Sequence, residues 1–129
     1  MRPRAAVIAE LLAHANPHGL DPELVPTDRV LERWAVSQGS DDYLTGWEDV
    51  PPRSRPPPLS DDLSTVVDRV ILASPVQTRA FVMRWYLRPG EPVCALAKAL
   101  GLHRDSVLMR WRSTLWYMRV RLQWAQVDV

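Results

Sequence analysis

A single cysteine, Cys94, excludes an internal disulfide and a multi-cysteine zinc site. No run of 18 apolar residues occurs, so no transmembrane helix is expected. Lysine is nearly missing: Lys98 stands against fifteen arginines, a ratio that the codon bias of a GC-rich genome produces without any selection for phosphate contacts. Alternating apolar and polar runs are missing too, and no internal repeat appears. What is present is apolar material, 47% of the chain with six tryptophans, enough for a core. The fold expected from this is all-α: a small helical domain with short N-terminal helices and a long final helix.

Charge is unevenly placed. Residues 1–68 hold six arginines against twelve acids, a net −6, while residues 69–129 hold nine arginines and Lys98 against three acids, a net +7. A basic half on a nearly neutral chain suits a polyanion. Between the halves "PPRSRPPP", residues 51–58, has five prolines in eight positions and reads as a stiff extended linker. The boundaries that follow are an N-terminal extension at 1–27, an acidic helix-loop segment at 28–50, the linker at 51–58 and a basic domain at 59–129. On this division 59–129 is expected to fold and bind nucleic acid alone; the alternative is that Trp34 and Trp47 pack on the C-terminal helices to complete one core, and the fragment is then unfolded.

The start, "MRPRAAVIAELLAHA", has the positive tip of a signal peptide, but Glu10 interrupts its apolar run. It reads instead as a short amphipathic helix with Val7, Ile8, Leu11 and Leu12 on one face. A breaker-rich loop is expected at 16–26. Thr27 then caps a helix at about 28–37 that turns Val30, Leu31 and Trp34 to one side, and Gly39 ends it. Tyr43 and Trp47 are the anchors of an irregular stretch. Ser60 caps the next helix, opened by Asp61 and Asp62, with Val66, Val67, Val70 and Ile71 as its apolar face. Pro75 opens a helix to about residue 88 that packs through Phe81, Val82, Trp85 and Tyr86. "RPGEP" is a turn.

The stretch "ALAKALGLHRDSVLMRW", residues 95–111, carries the sharpest signal. Gly101 parts two helices where the backbone needs positive φ. Ala97, four residues earlier, is small enough for a close helix crossing. Leu96, Leu100, Leu102 and Val107 point inward. This is the spacing of a helix-turn-helix, whose second helix turns its first residues to base edges in the major groove. The candidate DNA contacts are His103, Arg104, Asp105, Ser106 and Arg110: Arg can donate twice to guanine and Asp can accept from cytosine. Arg79, Arg84, Arg88 and Arg112 are candidate phosphate contacts. Arg110 stands where the pattern usually has an apolar residue, so Trp111 is expected to join Val107, Leu115, Met118 and Leu122 in one core stripe. The final helix, about 104–124, is long, and the aromatic residues of its second half exceed what one core face needs.

"RVLERWAVSQGSDDYLTGW", the proline spacer, the helix with Asp68 and Val70, and "RAFVMRWYLRPGEPVCALAKALGLHRDSVLMRWRSTLWYMRVRL" follow in an order that resembles the late antitermination Q proteins of the lambdoid phage 21 type. The helix-turn-helix also resembles region 4 of sigma factors. The resemblance spans about 28–124. It departs where the family commonly has Trp-Gly and this chain has Trp34-Ala35. It implies a transcription antiterminator that binds double-stranded DNA near a late promoter, engages paused host RNA polymerase, sigma factor included, and permits terminator readthrough. It places the protein in the bacterial cytoplasm and needs no cofactor. Trp34, Tyr43 and Trp47, in the acidic half that DNA repels, become candidate contacts to a protein partner: polymerase, or a second copy on DNA.

Other readings stay in play. The same motif serves a repressor or activator that acts at promoter DNA only, and the acidic half with the Trp-rich last helix could serve a polymerase-binding protein that reads no DNA. No enzyme is expected. Cys94 is expected to be buried. His14 and His18 lack a third ligand, and Asp41-Asp42 and Asp61-Asp62 read as loop and helix-start charges.

Overall fold

The computed structural model describes residues 20–38, 47 and 51–129. The helix expected at 5–15, the pairs His14/His18 and Asp41-Asp42, Gly39 and Tyr43 lie outside them. The described residues form an all-α fold of five α-helices: α1 Val25–Ser37, α2 Asp61–Leu72, α3 Val76–Leu87, α4 Val93–Leu100 and α5 Arg104–Trp124. A 3-10 turn, Pro22–Leu24, leads into α1, and another, Pro52–Ser54, lies in the proline segment.

The start of α1 differs from the reading of the sequence. Residues 22–26 are not a loop: proline sits within the first two positions of both the 3-10 turn and α1, where no N–H partner is required. Thr27 is therefore inside the first turn, fully buried, and its hydroxyl accepts from no backbone N–H; Leu24 holds the cap position. The face is as expected, with Val30, Leu31 and Trp34 buried.

The later helices follow their signals. The Ser60 hydroxyl accepts from Leu63 N at 3.3 Å and so caps α2. Val67 and Ile71 are buried, with Val66 and Val70 packed at the margin. Pro75 is the cap before α3 rather than its first residue. Phe81, Val82, Trp85 and Tyr86 are all buried. Along α5, Val107, Trp111, Leu115, Met118 and Leu122 form the expected stripe. Trp111 stacks on Trp85 at 4.9 Å, and Trp85 on Phe81 at 5.5 Å. An aromatic row of this kind adds on the order of 1 kcal/mol per pair beyond its buried area.

One core serves both charge halves. α1 packs against α2, α3 and α5, and α5 also packs against α2, α3 and α4. Leu24, Leu31, Trp34 and Ala35 from the acidic half lie in one cluster with the residues of α2 to α5. The proline segment does not hold the halves apart. Arg33 Nε donates to the Pro57 carbonyl at 3.1 Å, and Ser37 Oγ accepts from Leu59 N at 2.8 Å, which seats Leu59 in the core. The expectation that 59–129 folds alone loses its basis, because that fragment would leave the α1 side of the core open to water.

Candidate nucleic-acid interface

α4 and α5 meet at a three-residue turn, Gly101 to His103. Gly101 is left-handed, φ 67 and ψ 29. Leu102 N donates to the Ala97 carbonyl at 2.9 Å and Gly101 N to the Lys98 carbonyl at 3.3 Å. These two bonds close the end of α4 as a Schellman cap, whose penultimate position wants glycine. A Cβ at Gly101 would meet no atom within 4 Å, so the requirement comes from the backbone angle and not from space. Ala97 is buried and Leu102 packs against the core, as the spacing predicts.

The polar start of α5 has a local cause as well as a candidate use. His103 is extended, φ −69 and ψ 149, and its Nδ1 accepts from Asp105 N at 3.2 Å. The imidazole is thus the helix cap, satisfying a donor that the first turn leaves over. The Asp105 carboxylate stands at the positive end of the helix, 3.8 Å from the same Nδ1. Both side chains are largely exposed, 76% and 87%. Arg104 and Arg110 are exposed and Ser106 is half-buried. The five residues selected from the sequence therefore lie at one end of one helix, on the solvent side of a turn fixed from behind by Ala97, Leu102 and Val107. Met109 stands among them, 72% exposed, and no sequence signal marked it because an apolar residue in that run reads as core.

The candidate phosphate contacts divide. Arg84 is spent inside the chain: its Nε and Nη2 donate to Glu91 at 2.9 and 2.8 Å, a bidentate pair beside a largely covered carboxylate. Those hydrogen bonds raise its pKa, and Arg84 is withdrawn from the set. Arg88 reaches the same Glu91 only at 3.8 Å and stays exposed. Arg112 is similarly open, 3.8 Å from Asp21. Arg79 donates to the Leu72 carbonyl at 3.3 Å.

The candidate partner contacts change more. Trp34 is 2% exposed, a core side chain that can touch no partner. Trp47 is half-buried and donates from Nε1 to the Tyr86 carbonyl at 2.8 Å, which makes it an internal anchor. Cys94, expected inside, is exposed, because α4 turns Leu96 and Ala97 inward and Cys94 falls on its outer side.

A second polar grouping was not anticipated. The Tyr86 hydroxyl donates to Asp28 Oδ1 at 2.7 Å and accepts from Trp111 Nε1 at 3.1 Å. Burial, then the Asp28 charge, pushes the tyrosine well above its ordinary range, so it keeps its proton. Glu32, one turn from Asp28, is pushed up to about 8 by burial and by the Asp28 charge. Asp28 and Tyr86 are 58 positions apart, and no local pattern could pair them.

Among the described residues no three His, Cys, Asp or Glu gather as a metal site, and no helix is long and apolar enough to cross a membrane. No family model, curated protein or solved structure matches the chain.

Proposed function

We propose that the chain is a helix-turn-helix DNA-binding protein of transcription antitermination, reading double-stranded DNA with the start of α5 and acting on bacterial RNA polymerase in the host cytoplasm. The observation that carries the DNA reading is the exposed, arginine-bearing first turn of α5 set out from the core by left-handed Gly101. Arg104 and Arg110 are donors for guanine O6 and N7, Asp105 an acceptor for cytosine N4, and Ser106 and His103 flank them. Arg88 and Arg112, both exposed, are the phosphate donors of this reading. The basic charge of residues 69–129 supports a polyanion partner. The antitermination role rests on the order of segments from 28 to 124 and on its resemblance to the phage 21-type Q proteins.

The test has two stages. A duplex site is first selected from random DNA with the full chain. It is then placed beside a promoter-proximal pause upstream of a terminator, and the template is transcribed by bacterial RNA polymerase. Readthrough that depends on both the site and Arg104 supports the proposal; a selected site with no readthrough removes antitermination. Burial of Trp34 favours a second reading, a promoter-only repressor or activator, because it removes a surface first assigned to polymerase. That reading expects a change in initiation alone.

A further inference from the structure

The outer face of α5 carries a second apolar row. Met109, Trp116, Val120 and Trp124 are 72%, 37%, 41% and 71% exposed, and their spacing sets them on one side of the helix. This side lies opposite the buried stripe of Val107, Trp111, Leu115, Met118 and Leu122. A helix that is apolar on two opposite faces is normally covered on both. Here the core covers one, and the other meets solvent with two large indoles.

Charge fixes the kind of cover. The Arg119 guanidinium lies 5.5 Å from the Trp116 ring centre and that of Arg121 5.3 Å from Trp124. Cations are thus held against the aromatic row itself, by attraction to the rings. α5 has five arginines and one acid, Asp105, at its far end. A second copy laid on this face would set arginine against arginine.

The geometry points to a docking surface for an acidic amphipathic helix of another protein, centred on Trp116, Val120 and Trp124 and bounded by Arg119 and Arg121. The apolar row of the partner covers the indoles; its Asp and Glu meet Arg121 and compete for Arg119 with Glu23, which lies 3.9 Å from the Arg119 guanidinium in this chain. The site is separate from the DNA reading: Val120 lies about 24 Å along the axis from Arg104, at about 1.5 Å per residue. It therefore stands or falls independently of the first turn.

The test selects displayed helical peptides of about 14 residues, long enough to cover Trp116 to Trp124 without reaching the first turn of α5, on the full chain. Each peptide has a fixed apolar i, i+4, i+7 row and random flanking positions. Enriched peptides are expected to carry Asp and Glu beside the row. Their affinity is expected to fall about tenfold or more for Trp124→Ala and for Val120→Ser, the scale of a truncated aromatic anchor. Both variants should keep the wild-type melting temperature, since the two side chains lie outside the core. No enrichment, basic or neutral flanks, or undiminished binding by Trp124→Ala would overturn the proposal. So would a dimer in sedimentation that Trp124→Ala dissociates, which assigns the face to a second copy, or loss of duplex-DNA binding in that variant, which assigns it to nucleic acid.

Discussion

Asp28, Tyr86 and Trp111 form a polar junction turned away from water, while His103, Arg104, Asp105 and Arg110 form one turned toward it. The first joins α1 of the acidic half to α3 and α5 of the basic half. Its acceptor and donor are satisfied within the chain, at 2.7 and 3.1 Å. The second closes one backbone cap and leaves its guanidinium groups to solvent. Carboxylates in the two places have different consequences: Glu32, beside Asp28, ties the proton balance to folding, whereas Asp105 changes what the surface can meet. A polar residue is evidence for a partner only after its internal bonds have been counted.

Four substitutions probe this contrast, in falling order of their effect on stability. Trp34→Ala should cost about 3–5 kcal/mol, the range for a buried aromatic. Chemical denaturation measures it; a loss below about 1 kcal/mol, the size of an ordinary surface change, would mean that α1 is not part of the shared core. The fragment 59–129, which lacks α1, should for the same reason unfold without a cooperative transition.

Glu32→Gln should stabilise, and only at higher pH. The folded carboxyl holds its proton to about 8, against 4.5 for the ordinary group. The unfolded chain releases that proton first, so wild-type stability falls as pH rises from about 4.5 to about 8 and then levels. Glutamine removes the fall. The variant should match wild type near pH 4 and exceed it by about 2–3 kcal/mol near pH 8.5, taking about 1.4 kcal/mol per unit and discounting for partial solvent access. Equal stability of the two proteins across that range would place the Glu32 carboxyl in water.

Gly101→Val should cost about 1–3 kcal/mol, because a β-branched residue is strained at φ 67. Its melting temperature is the readout, and an unchanged value would mean that the turn can be rebuilt without left-handed backbone. Arg104→Ala should change stability by less than about 0.5 kcal/mol. It should still reduce discrimination between selected and random duplex by about 1–3 kcal/mol if the side chain reads a guanine. Equal weakening on both DNAs would make Arg104 a phosphate contact.

Much of the helical frame was legible because it is written locally. Ser60, Pro92 and Gly101 mark ends by backbone chemistry, and the stripe from Val107 to Leu122 marks a buried face by spacing alone. The start of α1 was misread because prolines, taken as breakers, also fit a first helical turn. The charge split suggested two units, yet charge describes surfaces and says nothing of what packs beneath them. Arg84 left the candidate site for a related reason: its partner Glu91 lies across a turn, and which arginine a lone acid will hold is decided by loop geometry.

The proline segment also acts on the chain before it folds. Five of its eight residues have φ fixed by a ring, so the unfolded connection between α1 and α2 samples fewer shapes than an ordinary loop of that length. Fewer shapes mean less disorder to give up when Arg33 takes hold of the Pro57 carbonyl and Leu59 enters the core. Replacing these prolines with glycine or serine would leave every folded contact described above in place and still lower stability, by enlarging the ensemble that competes with the fold.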